Sequence, residues 1–80
     1  MAQSIELMPA NEYRALVNRY WASMQGQDEK TIKARVYKAE CATFQAGHPI
    51  ERGNNTKANR TLWAHYYAVI DASEQCGVRT

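Results

Sequence analysis

Apolar and polar residues alternate along this chain with a helical period in three places. From Pro9, whose fixed φ suits a first helical turn, Tyr13, Leu16, Val17, Tyr20, Trp21 and Met24 recur at the i, i+3, i+4, i+7, i+8, i+11 spacing of one helix face. Arg14, Asn18, Ala22 and Gln25 lie opposite, and Gly26 is placed to end the helix. A second helix is expected from Asp28, a capping residue followed by Glu29 in the first turn, to Ala46 before Gly47. The link between the two is so short that they are expected to be antiparallel neighbours. His48 to Asn55 carries Gly47-His48-Pro49 at one end and Gly53-Asn54-Asn55 at the other, and reads as a loop. Asn55 or Thr56 then caps a third helix that runs to about Cys76 and stops at Gly77. The expected fold is all-α, one compact three-helix domain spanning residues 1–80, with helices near 9–25, 28–46 and 56–76. Residues 1–8, where Ile5 and Leu7 alternate with Ser4 and Glu6, read as a lead-in arm or a frayed turn.

The helix faces name the core. Leu16, Tyr20, Val36, Leu62, Tyr66 and Val69 lie on the main stripes and are expected to be buried. The third helix has a wide apolar face of Leu62, Trp63, Tyr66, Val69, Ile70 and Ser73, extended by Tyr67. On its other side Ala64, Ala68 and Ala72 form a four-residue ridge, which either admits another helix closely or is solvent-facing filler; filler is the expectation. The second helix has two apolar faces. Ile32, Val36, Ala39 and Thr43 make a narrow stripe, while Tyr37, Cys41 and Phe44 fall together about 140° round, flanked by Lys30 and Lys33.

Composition sharpens this picture at one point. Three Leu, four Ile, four Val and one Phe are few for 80 residues, and apolarity comes instead from twelve Ala, three Met, five Tyr and two Trp. Tyr and Trp bury large areas but carry a polar atom that wants a partner, so they suit half-wet sites such as protein interfaces. A chain of this length has scarce core material in any case. The opening Met1-Ala2-Gln3-Ser4 has neither the basic nor the apolar region of a secretory signal, and no run of 18 apolar residues could cross a membrane. A cytoplasmic protein with two reduced thiols, Cys41 and Cys76, is therefore expected, and the sequons at Asn54 and Asn59 carry no meaning.

Candidate chemistry is mostly excluded. His65 and Cys76 are eleven residues apart, about 16 Å along a helix axis, too far to share a zinc ion with bonds of about 2.0 to 2.3 Å, and Cys41 and His48 straddle a helix end. No Cys or Ser stands in sequence with a base and an orienting group, and Gly47 and Gly53 lack the following Gly-Lys-Ser/Thr of a phosphate loop. No enzyme, cofactor or metal is expected.

Two binding functions remain. In the first, Tyr37 and Phe44 framed by Lys30 and Lys33 form an interface core with a polar rim, and Trp21, Trp63 and Tyr67 at the margins of their faces extend it or make a homodimer seam. The competing account is that this face packs inside the bundle. In the second, Lys30, Lys33, Lys38, Arg52, Lys57 and Arg60, with Arg35, form a basic surface for DNA or RNA, since seven of the ten Lys and Arg fall between positions 30 and 60. Against it, the net charge is only +2, Glu29, Glu40 and Glu51 dilute the patch, and the second loop exceeds the turn of a helix-turn-helix. A plain solvated basic face accounts for the same residues. Protein binding without catalysis, as an inhibitor or adaptor, is the preferred expectation. In size and poverty of motifs the chain resembles the small accessory proteins of phages and mobile elements, an analogy that attaches to no residue.

Overall fold

Each helix begins and ends on residues suited to the task. The computed structural model describes residues 7–51 and 53–78 and places α1 at Ala10–Met24, α2 at Glu29–Ala46 and α3 at Lys57–Gln75. Pro9 precedes α1 with φ −57°, and its carbonyl accepts the Tyr13 N–H. The Asp28 carboxylate accepts the Thr31 N–H at 2.8 Å, and these hydrogen bonds hold its pKa below the usual carboxylate value. Thr56 caps α3 in the same way, its hydroxyl oxygen accepting the Asn59 N–H at 3.1 Å. At the far end Gly77, with φ +84°, turns the chain back so that the Gly77 and Val78 N–H groups bond the Glu74 and Ser73 carbonyls. That reversal folds Val78 into the core.

The helices pack as an all-α unit with principal extents of 39 × 26 × 24 Å, and α3 is the element that the other two share. The expected α1–α2 neighbourhood is corrected here: both helices pack on α3 and touch each other far less. A short link fixes where two helices meet but not the angle between their axes, and the larger apolar area is on α3. At the link itself Met24 and Ile32 are both buried, and the Arg35 guanidinium bridges back to Ser23 Oγ at 3.1 Å and Gln27 Oε1 at 3.3 Å.

The alanine ridge is the second correction. Ala64, Ala68 and Ala72 are fully buried, and Ala68 and Ala72 share the core cluster with Leu16, Val17 and Met24 of α1. Side chains flanking the ridge pin the two helices together. Tyr13 donates its hydroxyl hydrogen bond to Asp71 on one flank, and Tyr20 bonds His65 Nδ1 at 2.7 Å on the other. Burial, then Asp71, pushes the Tyr13 phenol well above its ordinary pKa. Leu16, Val36 and Val69 are buried as the stripes require, whereas Tyr20, Leu62 and Tyr66 are half-buried, so only part of the expected core is interior. Ala68→Leu is therefore expected to lower stability by about 1–3 kcal/mol, since added methylenes have no room under α1. Ala22→Leu, on the exposed side of α1, should melt with the parent in the same thermal series.

The buried hydroxyls of the interior are satisfied locally, whereas Asn59 Oδ1 is buried without a hydrogen-bond partner among the described residues. Thr43 Oγ1 donates to the Ala39 and Glu40 carbonyls, and Ser73 Oγ to that of Ile70. Cys41 and Cys76 are free thiols. No helix among the described residues is long and apolar enough to cross a membrane. The lead-in arm proposed for the first residues lies, for positions 1–6, outside the described residues.

Candidate functional site

The aromatic face is built outward from one buried ring. Trp63, only 5% exposed, sits on α3 where the end of α2 passes over it, and its indole N–H donates to the Gly47 carbonyl at 2.9 Å. The same carbonyl accepts Asn59 Nδ2 at 2.9 Å, so the end of α2 is tied to α3 twice. Gly47 itself has φ +86°, and a Cβ there would meet Asn54 Nδ2 at 2.8 Å. Any other residue would strain the backbone here through its positive φ and would also have to move the Asn54 side chain.

Around Trp63 four further rings gather. Phe44 stacks on it with centroids 5.7 Å apart and planes 17° from parallel, and His48 approaches edge-on at 4.7 Å. Tyr66 and Tyr67 complete the set at 5.7 and 5.9 Å. Burial, and then the Glu40 charge, raises the Tyr66 phenol above its ordinary pKa. His48 is also a loop residue in the ordinary sense, accepting the Ile50 N–H on Nδ1 at 3.1 Å.

The outer members of this cluster are open to solvent. Phe44 is 58% exposed and Tyr37, two turns earlier on the same face of α2, is 67% exposed; Tyr67 and Ile50 are exposed as well. Tyr37 and Phe44 are thus not internal packing. The Tyr37 hydroxyl sits above its ordinary pKa because of the neighbouring Cys41 thiol one turn along. Of the residues expected to form a protein-binding face, Tyr37, Phe44, Tyr67, Lys30 and Lys33 are at the surface, and Trp63 lies beneath it as their support. Lys33 is engaged with Glu29 at 2.9 Å in an exposed pair of i,i+4 spacing, a type of contact worth little to stability. Trp21 is exposed on α1 and joins none of these ring pairs.

The basic residues do not converge in the same way. Lys38 stands about 140° round α2 from Lys33, so the two address different directions. Arg60 turns back on the loop, donating to the Asn55 carbonyl and side-chain oxygen, and Lys57 is exposed in the first turn of α3. Arg52 lies outside the described residues. Among the described residues, no three of His, Cys, Asp and Glu come together as a metal ion would require.

What the sequence reading missed is the supporting layer. His48 and Tyr66 were a loop residue and a core residue in sequence, and both belong to the ring cluster. The available signal was their aromaticity beside Trp63, not their helical phase. No protein-family model, curated protein or solved structure matches this chain.

Proposed function

We propose that this chain is a small non-catalytic cytoplasmic protein that acts by occupying a surface of a protein partner, as an inhibitor or adaptor. The observation that carries the reading is the ring cluster: exposed Phe44 and Tyr67 are held against buried Trp63, with exposed Tyr37 on the same face of α2. Aromatic side chains held in place before binding lose little conformational freedom on contact, and such anchors dominate interface energetics. Lys30 and Lys33 supply the polar rim. A second copy of the chain is a special case of the same surface chemistry. The accessory-protein type suggested by size fits this mode of action but adds no residue to it.

The DNA-regulator alternative, through Lys30, Lys33, Lys38, Arg52, Lys57 and Arg60, has less support because Lys33 is paired with Glu29 and Lys38 points elsewhere. A nuclease-treated pull-down from the native host, with the captured partner then purified, provides the test. Tyr37→Ala and Phe44→Ala should melt close to the parent and weaken binding by about 2 kcal/mol, roughly thirtyfold, as aromatic anchors do. If Lys30→Ala and Arg60→Ala instead outweighed the aromatics and flattened the salt dependence by about 1 per contact, the nucleic-acid reading would replace this one.

A further inference from the structure

Behind the aromatic face, α2 and α3 leave an open groove of about 650 Å³, with Tyr20 of α1 and Tyr66 of the ring cluster among its walls. It adjoins a second depression of about 240 Å³ along α1, the two sharing Tyr20, Arg35 and His65. Its surface is mostly carbon. Ala39 and Ala42 stand one turn apart on the α2 wall, and Ala58, Leu62 and Val69 on α3 span eleven residues, about 16 Å or three helical turns. Alanine walls let a further helix approach closely, because nothing beyond Cβ stands between the backbones.

The charged side chains that line the groove among the described residues are cations, and Glu40 stands outside the lining near Tyr66. Arg35 and Lys38 line the main groove and Arg19 the depression beside it, and no carboxylate among the described residues lines either. The chain as a whole has eight acids to ten bases, so a stretch free of acids is a local property rather than a reflection of composition. None of these three cations is in an ion pair with a carboxylate among the described residues. Arg35 donates only to the neutral oxygens of Ser23 and Gln27, and its guanidinium lies 5.9 Å from the centre of the Tyr20 ring. Its charge remains available to a partner.

We infer that this groove is a docking site for an acidic amphipathic α-helix of a protein partner, apolar stripe on the alanines and Leu62, carboxylates facing Arg19, Arg35 and Lys38. A polynucleotide would match the cations but would set phosphates over a carbon floor, which gives them nothing to bond. A second copy of this chain matches poorly, since, among the described residues, the one helix that presents two acids within one turn of a face, α3 with Asp71 and Glu74, already has Asp71 bonded by Tyr13. The groove shares Tyr66 with the ring cluster but opens on another side of α2, where Ala39 and Ala42 lie about 140° or more round from Phe44.

The probe is a fluorescent helical peptide of about 18 residues, five turns, with Leu at i, i+3, i+4 and i+7 and Glu on the remaining face, titrated beside a copy carrying Lys for Glu. The Glu peptide should bind saturably and at least about tenfold tighter than the Lys peptide, with affinity falling as salt rises. Lys38→Glu and Ala42→Glu, both at exposed positions, should each weaken it about tenfold, while Gln45→Glu, on α2 outside the groove, should not. Melting curves verify that each variant is folded, and Lys38→Glu carries the test should Ala42→Glu fail to fold. Equal affinity for the two peptides, no binding of either, or indifference of folded groove variants would overturn the inference. So would displacement of the peptide by duplex DNA, or self-association in sedimentation that Lys38→Glu abolishes.

Discussion

Trp63→Ala is expected to lower the stability of the domain by about 3–5 kcal/mol, the range for truncating a buried aromatic. Trp63 is 5% exposed, touches Phe44, His48, Tyr66 and Tyr67, and bonds the Gly47 carbonyl. Its removal opens a cavity where α2 ends and strips three elements, α2, the loop and α3, of their common contact. Small domains have about 5–15 kcal/mol in total, so the variant should be close to unfolding at physiological temperature. Trp63→Phe separates the two contributions. It retains most of the ring packing, and the Gly47 carbonyl still accepts Asn59 Nδ2, so the loss should be nearer the roughly 1 kcal/mol of one hydrogen bond plus the change in ring size. Urea melts of the two variants and the parent give both numbers, and an alanine variant as stable as the parent would remove Trp63 as the support of the aromatic face.

The boundaries of the helices were legible because they depend on neighbours in sequence. Asp28 and Thr56 accept the N–H three residues on, and Gly47 and Gly77 take the positive φ that stops a helix, all of it local chemistry. Packing partners were not legible in that way. Ala64, Ala68 and Ala72 have the same pattern whether they face water or α1, and periodicity gives an azimuth without saying what stands there. The same limit applied to α2. Tyr37 and Phe44 share a face by spacing alone, but whether a neighbouring helix covers that face depends on where α1 settles. Here α1 settles on α3, where small side chains admit it, and so leaves α2 with only one helical neighbour in close contact. The packing of α1 on α3, with Ala68 and Ala72 in their shared cluster, leaves the aromatic face of α2 and the groove open together. Val78 had no signal at all, because its burial follows from the backward turn at Gly77 and not from any helix face.

Leu16→Ala is expected to cost about 2–5 kcal/mol, while Leu62→Ala should cost well under 2. Sequence phase made these two leucines equivalent, each central to the stripe of its helix. Leu16 is 7% exposed and belongs to the main cluster with Val17, Val69 and Ala72. Cutting it back leaves a void between α1 and the ridge of α3, which close-packed alanines have little freedom to fill. Leu62 is half-buried on the wall of the groove, where water already reaches part of its side chain. Its truncation widens an existing opening and creates no closed cavity, so most of the void term is missing. Thermal melts of the two variants at one pH and one protein concentration decide the matter. A Leu62→Ala loss as large as that of Leu16→Ala would mean that the groove is closed in solution, and the open arrangement of α2 against α3 would have to be abandoned with it.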